Sequence, residues 1–171
     1  MTERWEELEV QTGRDGFAEL FGHIRMIFAK EKARRTLLEE FREQVIKKYE
    51  SPETLMSTVV EPFAEAYLIA KKCQYLSTTN AADVNALLKW LNRIENSDWL
   101  PSAIKFLETQ GKNADYVLWF FRKFERLASF MHICGYDVNR RIERYAAELA
   151  ALEGAHSMES PISAVQLTDE E

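Results

Sequence analysis

Apolar residues recur along this chain at intervals of three and four almost from end to end, and only 6 glycines and 4 prolines interrupt its 171 residues. That spacing is one face of an α-helix, repeated in segment after segment. An all-β fold would need a turn of Gly, Asn or Pro about every 8–12 residues, and the chain cannot supply them. With 46% hydrophobic and 12% aromatic residues, burial can offset the entropy of ordering, which excludes disorder over most of the length. A chain of this size predicts one domain.

The expected helices follow from caps and periods. Trp5 and Leu8 lie on a short acidic segment ending near Gly13, and Asp15 can cap a helix carrying Phe17, Leu20, Phe21, Ile24, Ile27 and Phe28. Leu37, Leu38, Phe41, Val45, Ile46 and Tyr49 repeat the pattern. Ser51-Pro52 starts the next helix, and Glu61-Pro62 predicts a break or kink near Val60. Asn80 can cap Val84 to Ile94, and Trp99-Leu100-Pro101 opens a shorter helix stopped by Gly111. Asn113 caps the most hydrophobic helix, up to Ile133, and Asp137 caps the last one, closed by Gly154. The expectation is an all-α, irregular multi-helix bundle of about seven helices. Residues 1–153 form a single helical domain, and 154–171 an acidic tail or linker toward a following domain.

The helix from Asn113 to Ile133 gathers Arg122, Glu125, Arg126, Ser129 and His132 in one narrow stripe, while Trp119, Phe120, Phe121, Phe124, Leu127, Phe130 and Met131 cover much of the rest. A helix that apolar is expected at the centre of its domain.

The formal charge is −6, from 22 Lys and Arg against 28 Asp and Glu. Glu159, Asp169, Glu170 and Glu171 account for four of those six charges, so the body is near −2. Such a body does not resemble an autonomous duplex-DNA binder, whose affinity comes from neutralising several phosphates. Cys73 and Cys134 are isolated, which predicts reduced thiols. The N-terminus has no signal-peptide pattern and no apolar run approaches about 18 residues, so a cytoplasmic chain without membrane spans is expected.

Motifs for chemistry are sparse. Gly13-Arg14-Asp15-Gly16 matches the backbone-clamping loop of KH domains, but a turn before a helix explains it. His132 and Cys134, two apart on a helix, point to different sides and make a poor metal pair. Glu39, Glu40 and Glu43 lack the Glu-x-x-His partners of a di-iron bundle, and a solvated pair of Glu43 with Lys47 is the simpler account. Arg140, Arg141 and Arg144 open the last helix and could reach phosphates as in a helix-turn-helix. Pairing with acids on the neighbouring helix, such as Glu125, accounts for them more simply. No phosphate-loop, dinucleotide, nucleophile-elbow or zinc-protease motif is found. The expectation is no catalytic, cofactor-binding or metal-binding residue, and no enzyme activity in this chain.

Gly13-Arg14-Asp15-Gly16-Phe17 with Leu20, Phe21, Ile24 and Arg25 resembles the helical region of GmrSD-type proteins. So do Trp99-Leu100-Pro101, the run Phe120, Lys123-Phe124-Glu125-Arg126-Leu127-Ala128, and the ending Arg141-Ile142, Arg144-Tyr145-Ala146. The resemblance covers roughly residues 5–152. Members are prokaryotic modification-dependent restriction and phage-defence proteins, joining a ParB-like nucleotide-handling domain, a helical region and often an HNH-type nuclease. It implies a middle segment whose partners are neighbouring nucleotide-binding and nuclease domains of a longer polypeptide. The family's Asp-Gly-Gln-Gln-Arg and His-Asn-His motifs have no counterpart here, so its catalytic residues do not carry over. Weak DNA contact through Lys123, Arg140 and Arg144 is the nucleic-acid expectation. Two rival readings remain: a free-standing adaptor binding protein through Trp5, Trp90 and Trp119, and a small DNA-binding regulator.

Overall fold

Side-chain caps fix where several helices begin. Ser51 Oγ accepts the Thr54 N–H at 3.1 Å, Asn113 accepts from Tyr116, and Asp137 accepts from Asn139 and Arg140. The computed structural model describes residues 2–154, 156–169 and 171. Met1, Ala155 and Glu170 lie outside the described residues; the last two belong to the expected tail.

The elements run α1 (Thr2–Thr12), α2 (Arg14–Ala29), α3 (Leu37–Gln44), a 3-10 turn (Ile46–Lys48), α4 (Pro52–Leu55), α5 (Glu61–Lys72), α6 (Ala81–Leu91), α7 (Leu100–Gln110), α8 (Ala114–Ile133) and α9 (Val138–Ala151). There is no strand among the described residues, so the all-α, multi-helix architecture is as expected. The break expected near Val60 takes another form. A π-turn, Met56–Val60, joins α4 to α5 as one continuous rod, with the Glu61 N–H reaching back five residues to Met56 O. Pro62 has no N–H to return to the preceding turn, and the wider turn ahead of it absorbs that loss. The rod therefore survives the proline.

Two caps differ from the sequence expectation. Gly13, at φ +76°, makes the one-residue bend between α1 and α2, so Asp15 lies inside the first turn of α2. Asn80 does precede α6, but its amide donates to Asp115 at 2.7 Å instead of capping.

α7 packs on α5 and α2, α8 lies along α6, and α9 closes over α7. α7 is the helix that touches α2, α5, α8 and α9, whereas α8, expected at the centre, packs on α6 and α7 and buries one broad face. Val117, Phe120, Phe121, Phe124, Leu127 and Met131 are fully buried. Phe106 of α7 stacks on Phe120 with centroids 3.7 Å apart, and Phe124 meets Tyr145 of α9 edge-on at 5.8 Å. Arg122, Arg126 and His132 of the polar stripe are exposed.

The C-terminal segment is not a free tail. Ile162 and Val165 are fully buried, and the Ile162 N–H donates to Tyr116 Oη at 3.1 Å. The core thus extends past the expected boundary at residue 153. Two apolar residues spaced by three suffice to dock the segment, although the stretch has no sustained period. Among the described residues no helix is long and apolar enough to cross a membrane.

Candidate functional site

The three cations singled out from the sequence have different fates. Arg144 is engaged internally: its Nη1 donates to Ala164 O at 2.6 Å, its Nη2 to Gln166 O at 2.8 Å, and its Nε to the Glu171 carboxylate at 3.1 Å. It therefore has no free guanidinium edge for a phosphate, which corrects its expected role in DNA contact. The reason is tertiary: the C-terminal segment folds back and presents carbonyls to it. Arg140 is exposed, with its guanidinium 3.8 Å above the Tyr136 ring. Lys123 is half-buried beside a groove on the outer side of α8 and makes no ion pair among the described residues. Lys123 and Arg140 are not brought into one hollow.

Arg141 shows the same internal use. Its Nε lies 2.8 Å from Asp98 Oδ2 and its Nη1 donates to Tyr136 O. Pairing of this arginine cluster with acids is therefore observed, but through Asp98 and Glu171 and not through Glu125, which accepts from Ser129 at 2.8 Å. Together Arg141 and Arg144 tie α9 to the turn before α7 and to Ala164, Gln166 and Glu171.

The groove gathers a set that helical spacing alone hints at: the neighbours Arg122 and Lys123, with Arg126 one turn further on. One hollow of about 730 Å³ is lined by Asp115, Leu118, Trp119, Arg122, Lys123, Arg126 and Met158. A second, of about 350 Å³, shares Lys123 and Arg126 and adds Gln166, Leu167, Thr168 and Glu171. Arg122 stands 3.9 Å from Asp83, an exposed and weak pair, and Arg126 makes no ion pair among the described residues. Met158, Gln166 and Leu167 escaped the sequence reading because only the docked segment places them beside α8.

Elsewhere, ionic groups satisfy each other. A hollow of about 480 Å³ has an apolar floor of Phe28, Phe63 and Phe106 and a polar rim. On that rim Lys105 pairs with Glu108 at 3.0 Å, Glu153 with Lys30 at 2.5 Å, and His156 Nε2 contacts Ala151 O at 2.7 Å. Glu19 receives the Tyr67 hydroxyl at 2.9 Å and lies 3.4 Å from His23 Nε2. The neighbouring His23, aided by Tyr67 and Lys71 against the cost of burial, holds the Glu19 carboxyl down to about 2. Burial first, then Glu19, pushes the Tyr67 phenol upward. No cluster of three or more His, Cys, Asp or Glu residues suited to a metal occurs among the described residues.

The acidic cluster on α3 is only partly solvated. Glu43 pairs with Arg35 at 2.5 Å rather than with Lys47. Glu40 is buried, with Oε2 2.6 Å from Arg25 Nε and Oε1 accepting the Arg34 and Arg35 N–H groups. The chain between α2 and α3 wraps over this pair, and helical spacing cannot show such a wrap.

Glu148 on α9 is wholly buried, and neither of its oxygens nor Ser102 Oγ of α7 has a hydrogen-bond partner among the described residues. Burial, opposed by Arg144, pushes its carboxyl up to about 8. The folded chain then holds a proton that the unfolded chain releases above its ordinary value of 4.5. Stability contributed by this group is full below that value and lost as pH rises through 8. Thermal melting should fall between pH 5 and pH 9, and Glu148→Gln should flatten that slope; an unaltered slope in the variant would assign it to other groups.

No family model matches this chain, and neither do any curated protein or solved structure.

Proposed function

We propose that the chain is a non-catalytic helical module of a GmrSD-type modification-dependent restriction protein, coupling a ParB-like nucleotide-binding domain to a DNA nuclease domain in the cytoplasm. The observation that supports this reading is the double tie made by two arginines in the stretches that carry the resemblance. Arg141 holds α9 to Asp98, and Arg144 holds it to Ala164, Gln166 and Glu171. Phe120, Phe124, Leu127 and Tyr145 of the same stretches are buried in the core, where Phe124 of α8 meets Tyr145 of α9. A helix welded in this way to the chain before and after it moves with both, as an element that transmits displacement must. DNA contact, on this reading, is a minor contribution of Lys123 and Arg140.

Two measurements test it. The coding sequence on either side of the 171 residues should specify a nucleotide-handling motif and a nuclease motif; an open reading frame ending at both boundaries overturns the proposal. In the longer polypeptide, Arg144→Ala should lower nucleotide-stimulated DNA cleavage about tenfold, the order of a coupling energy, while nucleotide binding stays unchanged. Equal cleavage by both forms would remove α9 from the coupling.

A further inference from the structure

Among the described residues, every hydrogen bond between 163–171 and the helices is made by Arg144, to Ala164 O, Gln166 O and the Glu171 carboxylate. The Thr168 N–H bond to Glu171 stays within the segment. Val165 is fully buried there, and Ala164 and Leu167 are half-buried against the core. So small an apolar anchor, without regular backbone, depends on the guanidinium to offset the entropy of ordering.

Four residues after Arg144, on the same face of α9, stands Glu148, wholly buried and with neither oxygen hydrogen-bonded among the described residues. Beside it on α7 lies the hydroxyl of Ser102. The other charged groups of the elements packed around α9 are committed elsewhere. Arg141 pairs with Asp98, Lys105 of α7 with Glu108, and Arg25 and Lys30 of α2 with Glu40 and Glu153. The C-terminal segment contributes His156, on Ala151 O, and Glu171, beside which Lys123 and Arg126 of α8 line a hollow. Burial, before the neighbouring Glu148 and Asp98, pushes the Tyr145 phenol well above its usual range, so it stays neutral. Arg144 is therefore the cation that acts on Glu148, and burial outweighs it.

We propose that Arg144 is a two-position latch: while Glu148 is protonated it holds residues 163–171 on the bundle, and when Glu148 ionises it turns to that carboxylate and releases the segment. Spacing of four residues lets the guanidinium reach the carboxylate by side-chain rotation, with α9 intact. The proton passes to solvent, and the charge it leaves behind is too costly to keep buried without a partner. A state in which Glu148 is more easily charged is favoured as pH rises, so release follows the titration of that carboxyl at about 8. The inference stands independently of a place in a restriction protein.

Methyl NMR of the whole chain, followed from about pH 6 to about pH 9.5, provides the test. Val165 reports on the segment, and Leu127, fully buried on α8, reports on the helical body. In the wild type the Val165 methyl shifts should move from packed values toward those of an unstructured valine as pH passes through the Glu148 titration. In Glu148→Gln they should keep their low-pH values throughout, because a neutral amide makes no claim on the guanidinium. In Arg144→Ala they should be unstructured already at the lowest pH, with Leu127 still packed. Val165 shifts that stay fixed in the wild type, that move equally in Glu148→Gln, or that remain packed in Arg144→Ala would each overturn the proposal. So would joint movement of Val165 and Leu127 in the wild type, since that reports unfolding of the whole bundle and not release of its last segment.

Discussion

Replacing Arg25 by Met should lower stability by about 3 kcal/mol, because it strands a carboxylate beneath the chain that covers it. The side chains of Arg25 and Glu40 are only 4% and 3% exposed, and the charged groups approach to 2.6 Å. Glu40 Oε1 is committed to the Arg34 and Arg35 N–H groups, so Oε2 has only the guanidinium to face. Arg25 also donates to Glu31 O, so its loss frees the α2–α3 connection at a second point. Adding Glu40→Gln should recover part of the loss, since a neutral amide keeps an acceptor for the backbone N–H groups without an uncompensated charge. Chemical denaturation of the wild type, the two single variants and the double variant measures this directly. The sign with pH follows from the Glu40 carboxyl, held below its usual range first by the Arg34 N–H, against burial, and then by the Arg35 N–H and Arg25. Its stabilisation is present above the ordinary carboxylate value and disappears as pH falls through the lowered one. Coincident denaturation curves for wild type and Arg25→Met would show that the pair contributes nothing.

Phe124→Ala should be comparably severe, with a cost of about 3–5 kcal/mol. Phe124 is fully buried, 5.1 Å from Phe120, 6.3 Å from Phe121 and 5.8 Å from Tyr145, ring centre to ring centre. These rings belong to α8 and α9, and Phe106 of α7 stacks on Phe120 beyond them. Truncation opens a cavity among rigid aromatic side chains, where neighbours have little freedom to close it. For a chain of this length a loss of that size lowers the melting temperature by about 10 °C. Phe130→Ala on the same helix should cost much less, because that ring is only partly buried, beside Tyr136 at the molecular edge. Calorimetry on both variants separates the core of α8 from its margin, and equal losses would contradict the central placement of Phe124.

Much of the fold is visible in local signals. Ser51, Asn113 and Asp137 cap helices because a short oxygen-bearing side chain can reach the exposed N–H groups of the first turn. The aromatic density of α8 foretold its broad buried face for an equally local reason: no narrow stripe can hold that many large apolar residues. The candidate site was less legible. Lys123 does line the groove, yet Met158 and Leu167 join it from a segment without period, and Arg144 is withdrawn by carbonyls about twenty residues away. Glu40 looked like any solvated helix acid until the chain covering it was seen.

Most helix positions, the caps at Ser51, Asn113 and Asp137 and the apolar faces were therefore determined by the sequence alone, because each depends on residues within a turn or two. The tertiary structure decided which charges are buried, which arginines remain free and whether the last residues dock. Those outcomes depend on groups far apart in the chain meeting at short range, and the strength of an ionic or hydrogen-bonding group follows from the partners and solvent it is left with.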